Sequence, residues 1–82
     1  MIRKPISFPA DRPLNRALAV EVVQVATRYE SRVMISQKQK IVNAKSTLGL
    51  LALSADDLND LVLIAEGPDE AEVVAAIATL LA

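Results

Sequence analysis

The spacing of apolar residues in the first third of the chain predicts a strand followed by a helix. Residues 2–8 alternate weakly between apolar and polar side chains and end at Pro9, which has no backbone N–H, so we expect an edge strand and then a loop over residues 9–13. Asn15 is a favourable helix N-cap, and apolar residues follow it at i, i+3, i+4 and i+7 spacing. These residues are Ala19, Val22, Val23 and Ala26. The spacing predicts a helix over residues 16–29.

The middle of the chain predicts a hairpin and then a short helix. Residues 32–36 are rich in β-forming side chains, residues 37–40 are polar enough to turn, and residues 40–43 can pair back. Ser46 is a favourable N-cap for a helix of about two turns. Gly49 weakens that helix by about 1 kcal/mol relative to alanine.

The last third predicts a polar turn at residues 56–60, a buried strand at residues 61–65 and a helix over residues 71–81. Asp69, followed three residues later by Glu72, resembles a capping box at the start of that helix. The predicted order is therefore βαββαβα. In so short a chain this order implies an α+β fold, with a four-stranded antiparallel sheet and three helices on one face.

The composition excludes several classes of site. The 82 residues include neither Cys nor His, so the chain has no disulfide and no thiolate or imidazole metal ligand. Ser-His-Asp, Cys-His and phosphohistidine chemistry are excluded for the same reason. Since 52% of the residues are hydrophobic, we expect one domain over residues 1–82, stabilised by burial and without metal or cofactor.

The charges are unevenly distributed along the chain. Residues 1–45 contain all nine Lys and Arg and three acids, a net charge of +6, whereas residues 46–82 contain seven acids and no base, a net charge of −7. We favour two segments that interleave in one fold over two oppositely charged interaction faces. Phe8 and Tyr29 are the only aromatic residues, so direct nucleic-acid binding is not expected. Residues 73–82 have about half the length of a membrane span, and without a leader pattern we expect a cytoplasmic protein with no membrane partner.

Two groups of acidic residues are candidates for chemistry, and each has a simpler explanation. The first group is Asp56, Asp57 and Asp60. It lacks the glycine turn and the distant glutamate of a calcium loop, so we expect a solvated turn. The second group is Glu66, Asp69 and Glu70. These residues surround the start of the last predicted helix. Carboxylates there interact favourably with the positive end of the helix dipole, so we expect capping rather than general acid–base chemistry. Without a glycine-rich phosphate loop or a nucleophile elbow, an enzyme is not expected.

Ser46 has two interpretations. A phosphate on this serine would meet free backbone N–H groups and the positive end of a helix dipole, with Lys45 as a nearby counter-charge. An ordinary N-cap explains the serine as well, and the residues alone favour the cap. Four leucines follow the serine: Leu48, Leu50, Leu51 and Leu53. If one pair faces the core, the other pair faces solvent or a partner.

Residues 42–51, VNAKSTLGLL, resemble the regulatory segment of HPr, the phosphocarrier protein of the bacterial sugar phosphotransferase system. Residues 65–70, AEGPDE, are similar to the family's junction between the last strand and the last helix. The resemblance extends over the chain in length and in the order of elements. It implies an HPr-like open-faced βαββαβα sandwich, the same order that the hydrophobic pattern predicts.

Residues 13–19 depart from the family at its phosphate-carrying motif. HPr proteins have the sequence GLHARPA here, and its histidine accepts phosphate from enzyme I. This chain has PLNRALA, in which only Leu14 and Ala19 match. Asn15 occupies the histidine position, and its amide nitrogen is not nucleophilic and cannot form a transferable phosphoramidate. Arg16 lies one place before the family's arginine position.

The resemblance therefore implies a regulatory function that depends on phosphorylation of the serine. In the family, the serine matching Ser46 is phosphorylated by HPr kinase/phosphorylase, and the product signals carbon status, in some bacteria by binding the repressor CcpA. The paralogue Crh has likewise lost the histidine and kept the serine. We predict an HPr-like regulatory protein of the phosphotransferase system and catabolite repression. Its expected partners are an HPr kinase/phosphorylase-like enzyme and a CcpA-like regulator or another phosphotransferase-system protein. The predicted partner-binding residues are Leu14, Arg16, Lys45, Thr47, Leu48 and Leu51.

An alternative function is an interaction or scaffold domain that keeps the fold and has lost both phosphorylation functions. Its helix over residues 71–81, rich in Ala, Val and Leu, could then form a dimer interface. The sequence is compatible with a monomer or a weak homodimer.

Overall fold

The helices and strands follow the predicted βαββαβα order in a computed structural model that describes residues 1–9, 14–53 and 61–82. The elements are β1 (Ile2–Ile6), α1 (Arg16–Ala26), β2 (Arg32–Gln37), β3 (Lys40–Asn43), α2 (Thr47–Leu51), β4 (Leu61–Glu66) and α3 (Glu70–Leu81). The strands form one antiparallel sheet in the order β1-β4-β2-β3. This arrangement confirms the predicted fold class. Most of the predicted loop over residues 9–13, and all of the predicted turn at residues 56–60, lie outside the described residues.

Strand β1 lies at one edge of the sheet, as predicted, and among the described residues it pairs only with β4. Pro5 is opposite Val62 in this pair. A proline has no N–H to donate, and sheets tolerate that loss at an edge. The strand ends at Ile6, two residues earlier than predicted, and Phe8 beyond it is buried in the core.

One face of the sheet carries the core, and the helices cover that face. Burial alternates along β2 and β4, as expected for strands with one side against helices and the other toward solvent. The buried apolar sheet residues on the helix side are Val33, Ile35, Val42, Leu61, Leu63 and Ala65. The opposite face has no covering helix within the described residues.

Helix α1 ends at Ala26, three residues before the predicted end. The hydroxyl of Thr27 donates to the carbonyl of Val23 at 2.8 Å. The next two N–H groups, of Arg28 and Tyr29, bond to carbonyls three residues back instead of four. The turn therefore tightens and the α-helix stops. The buried side chains of α1 are Leu18, Ala19, Val22 and Ala26.

Helix α3 has 12 residues and turns its large apolar side chains toward the core. The buried ones are Val73, Val74, Ile77 and Leu81. Its outward positions include Glu72, Ala75 and Thr79, so the solvent side offers small and polar groups. Within residues 1–9, 14–53 and 61–82, no helix combines the length and the apolar character needed to cross a membrane.

The predicted capping box at the start of α3 is wrong. Asp69 stands at the N-cap position, but its side chain makes no capping hydrogen bond. Its carboxylate instead accepts hydrogen bonds from the N–H groups of Glu30 and Ser31, each at 2.9 Å, and from the Ser31 hydroxyl. Asp69 therefore ties the start of α3 to the loop between α1 and β2.

Candidate functional site

Ser46 is the N-cap of α2, as predicted. Its backbone is extended, and its Oγ accepts a hydrogen bond from the N–H of Gly49 at 3.1 Å. Its carbonyl accepts from the N–H of Leu50 at 3.0 Å. The residue is half-buried. The hydroxyl oxygen is thus held at the positive end of α2 while part of the residue remains open to solvent.

Asn43 organises the loop before Ser46, although the sequence analysis did not single it out. Its side-chain Oδ1 accepts from the N–H of Lys45 at 2.9 Å, which forms an Asx turn. Its carbonyl accepts from the N–H of Ser46 at 3.0 Å. The sequence feature that could have indicated this turn is an asparagine at the end of a predicted strand, three residues before a predicted helix N-cap.

Gly49 lies close to the Ser46 cap. A Cβ at this position would lie 3.3 Å from the carbonyl oxygen of Asn43 and 3.4 Å from both Cβ and Oγ of Ser46. Helix propensity alone marks Gly49 as a weak point of α2. The structure shows in addition that a side chain at this position would pack tightly against Asn43 and Ser46.

Two lysines near α2 bond to backbone carbonyls. Lys45 Nζ donates to the carbonyl of Tyr29, just beyond α1, at 2.8 Å. Lys40 Nζ donates to the carbonyl of Ala52, at the C-cap of α2, also at 2.8 Å. A cation at the C-terminal end of a helix interacts favourably with the helix dipole. The sequence did not indicate this role of Lys40. Lys45 as a counter-charge for a phosphate stays a prediction.

The four leucines after Ser46 divide into two pairs, as expected. Leu50 and Leu53 are buried in the core. Leu48 and Leu51 point outward, with 82% and 41% of their surface exposed. An exposed large apolar side chain therefore lies two residues after the candidate phosphorylation site.

Asn15 is the N-cap of α1. Its Oδ1 accepts from the N–H of Leu18 at 2.9 Å, so the amide oxygen takes the capping role. Leu14 is half-buried against the core, and Arg16 is exposed. Helices α1 and α2 contact each other, which brings the two capped helices into one part of the fold. Of the predicted partner-binding residues, Arg16, Leu48 and Leu51 are exposed, whereas Leu14, Lys45 and Thr47 are half-buried.

The acidic residues around the start of α3 form structural contacts. Hydrogen bonds from the Ser31 hydroxyl and from nearby backbone N–H groups hold the pKa of Asp69 below its usual value of 3.8. The carboxylate of Glu70 lies 2.9 Å from the amino group of Met1. Glu66 is exposed at the end of β4. No three acidic side chains in the described ranges form a group able to hold a metal ion. The turn with Asp56, Asp57 and Asp60 lies outside those ranges.

Comparisons with known proteins identify the family. The family described as "PTS-HPr: PTS HPr component phosphorylation site" matches residues 11–82. The phosphocarrier protein HPr of Treponema pallidum (strain Nichols) is 40% identical over 74 residues, which cover 84% of each chain. The chain belongs to the HPr family.

Solved HPr-family structures share the fold. The crystal structure of a phosphocarrier protein HPr from Bacillus anthracis str. Ames superposes with a TM-score of 0.88 at 27% identity, over 99% of this chain and 96% of that one. The crystal structure of Bacillus subtilis Crh has a TM-score of 0.77 at 32% identity, over 99% and 93% of the two chains. That Crh structure is described as an intertwined dimer with a swapped domain. The HPr match includes both Asn15 and Ser46, and this member of the family has no histidine.

Proposed function

We propose that this chain is a regulatory protein of the HPr family, switched by phosphorylation of Ser46 and unable to carry phosphate on a histidine. Family membership supports a role in the phosphotransferase system or in carbon catabolite control. The complete absence of histidine supports the loss of phosphotransfer. The protein acts as a cytoplasmic binding partner and not as an enzyme.

The hydrogen bond from the Gly49 N–H to Ser46 Oγ carries this proposal. Phosphorylation would add about −1.5 to −2 charges and three acceptor oxygens at a helix N-terminus, which favours negative charge. Residues 46–82 contain no Lys or Arg, so the added charge would lie at the start of an already acidic segment. The modification would therefore change the surface potential beside Ser46 strongly.

The exposed side chain of Leu48 supports a docking surface next to the switch. Leu51 adds apolar surface, and Arg16 offers an exposed cation on the contacting helix α1. A partner such as a CcpA-like regulator would bury the leucines and read the phosphate through basic side chains. An HPr kinase/phosphorylase-like enzyme would use the same region to reach the Ser46 hydroxyl.

The test is to incubate the purified protein with an HPr kinase and ATP and to follow the intact mass. We expect one phosphate on the wild type and on Thr79→Ala, and none on Ser46→Ala. Thr79→Ala is the control because it removes an exposed hydroxyl on α3, outside the predicted partner-binding residues. If the wild type gains no phosphate, or if Ser46→Ala gains as much, the switch is wrong.

Loss of histidine phosphotransfer has its own test. The protein is mixed with enzyme I and phosphoenolpyruvate, with a histidine-containing HPr as the positive control. We expect phosphate on the control and none on this chain. Acid-labile phosphate on this chain would contradict the proposal.

The alternative function, a scaffold domain, was predicted to use the last helix as a dimer interface, and the structure does not favour that interface. The large apolar residues of α3 are buried in the core of the protomer, as described above. The outward side of α3 provides mainly small and polar groups for a dimer. No structural observation therefore favours dimerisation through this helix.

A further inference from the structure

The face of the sheet that no described helix covers carries an apolar patch. An antiparallel sheet with one free face normally places polar side chains there. Here the free-face positions of the two central strands include Met34, Val62 and Ile64, all half-buried. On the edge strands, Pro5 is exposed and Ile41 has 59% of its surface exposed. These five side chains form the patch, and contiguous exposed apolar surface of this kind marks interaction sites.

The strand register places the patch in two adjacent rows. One row runs across all four strands through Arg3, Ile64, Met34 and Asn43. The next row runs through Pro5, Val62, Ser36 and Ile41. A third row, on the side of the first row away from Pro5, places exposed Arg32 directly opposite exposed Glu66. Apart from exposed Arg3 at the β1 edge, the face is therefore apolar in the middle, with charges of both signs at one end.

These rows are self-complementary when a second copy packs on them around a twofold axis. The axis lies between the two sheets, parallel to the strands, and passes over the boundary between β4 and β2. The axis brings Glu66 of one copy over Arg32 of a second copy, and the reverse, so two opposite-charge pairs form. It also brings Ile64 over Met34, and Pro5 over Ile41. A twofold contact of this type uses the same surface on both copies, as isologous dimers do, and its strands stay near the aligned angle of packed sheets.

The sheet edges disfavour a different mode of association. Edge strand β1 contains Arg3, Lys4 and Pro5 in succession, and charges and proline are features that prevent edge-to-edge strand pairing. The other edge strand, β3, has only four residues. A second copy would find more matching surface on the face than along either edge.

We propose that the open face of the sheet is a docking surface for a second copy of this chain, packed sheet on sheet around this twofold axis. The three rows measure about 19 Å across and about 17 Å along the strands, on the order of 300 Å² per copy. A stable standard interface buries about 800 Å² per partner. The dimer is therefore weak and reversible.

Sedimentation equilibrium from micromolar to millimolar concentration tests the proposal. We expect the apparent mass of the wild type to rise toward that of a dimer. Arg32→Glu and Glu66→Arg should each weaken association at least tenfold, because each places like charges over one another in both pairs, one on either side of the axis. An equimolar mixture of the two variants should associate at least tenfold more tightly than either alone, since a negative face then meets a positive face.

The control variant is Glu72→Arg, which reverses an exposed charge on α3 away from this face and should leave association unchanged. Circular dichroism and thermal unfolding of each variant verify the fold, and loss of stability in one protomer cannot explain recovery on mixing. A wild type that stays monomeric at millimolar concentration overturns the proposal. A dimer unaffected by both charge reversals also overturns it and points to strand exchange instead. Ser46 does not lie on this face, so either result leaves the phosphorylation switch untouched.

Discussion

Ser31 and Asp69 bond to each other in both directions. The Ser31 N–H donates to Asp69 Oδ1 at 2.9 Å, the Ser31 hydroxyl donates to the same oxygen, and the Asp69 N–H donates to Ser31 Oγ at 3.2 Å. Ser31 is only 1% exposed. These bonds join the loop before β2 to the loop before α3, two segments that are far apart in the sequence.

Replacing Ser31 with alanine should lower the free energy of unfolding by about 1–3 kcal/mol, because two hydrogen bonds at a buried hydroxyl are lost. For a domain of this size, the melting temperature should fall by about 4–8 °C for each kcal/mol. Ser36→Ala is the control, since Ser36 is half-buried on the open face of the sheet. Thermal unfolding by circular dichroism measures both variants. Equal melting temperatures for the two would contradict the role of Ser31.

The lowered pKa of Asp69 predicts a pH dependence of stability. Between the lowered pKa of the folded protein and the usual value of 3.8, the unfolded chain binds more protons at this group than the folded protein does. The contribution of Asp69 is therefore complete above pH 3.8 and is lost as the pH falls through the lowered value. Urea unfolding across this range should show the wild type converging on Asp69→Asn as the pH falls. A constant difference between them would contradict this assignment.

The sequence pattern predicted the element order and the two N-caps because these depend on local residue types. Asn15 and Ser46 are caps in the structure, and their side chains bond to N–H groups three residues ahead. Asp69 was misread because its alternative partners lie 38 and 39 residues away in the sequence. Local capping rules cannot weigh a partner that only the tertiary fold brings close.

At the candidate site, too, the sequence could predict local features but not contacts between distant elements. The outward direction of Leu48 could be expected from helical spacing, as one of two alternatives. The bonds of Lys40 to Ala52 and of Lys45 to Tyr29 could not, since long side chains reach across elements whose relative placement only the packing decides.

Gly67 should tolerate a side chain far less well than Gly49. At Gly67 φ is +152°, and a Cβ would lie 2.6 Å from Cα and Oγ of Ser31. Gly67→Ala should therefore cost roughly 2–4 kcal/mol of stability through backbone strain and overlap. At Gly49 the gain in helix propensity, about 1 kcal/mol, offsets the tighter contact with the Ser46 cap, so Gly49→Ala should change stability by less than about 1 kcal/mol. Urea unfolding of both variants checks the order, and a larger loss for Gly49→Ala would contradict it.

Leu48 and Leu50 separate binding from stability within one short helix. Leu50 is fully buried, so Leu50→Ala should lower the free energy of unfolding by about 2–5 kcal/mol through lost burial and a cavity. Leu48 is 82% exposed, so Leu48→Ala should change it by no more than about 0.5 kcal/mol. Urea unfolding measures both effects. If Leu48 belongs to the proposed docking surface, Leu48→Ala should also weaken at least tenfold the binding of the Ser46-phosphorylated protein to a CcpA-like partner, measured by calorimetry. Unchanged binding at full stability would remove Leu48 from that surface.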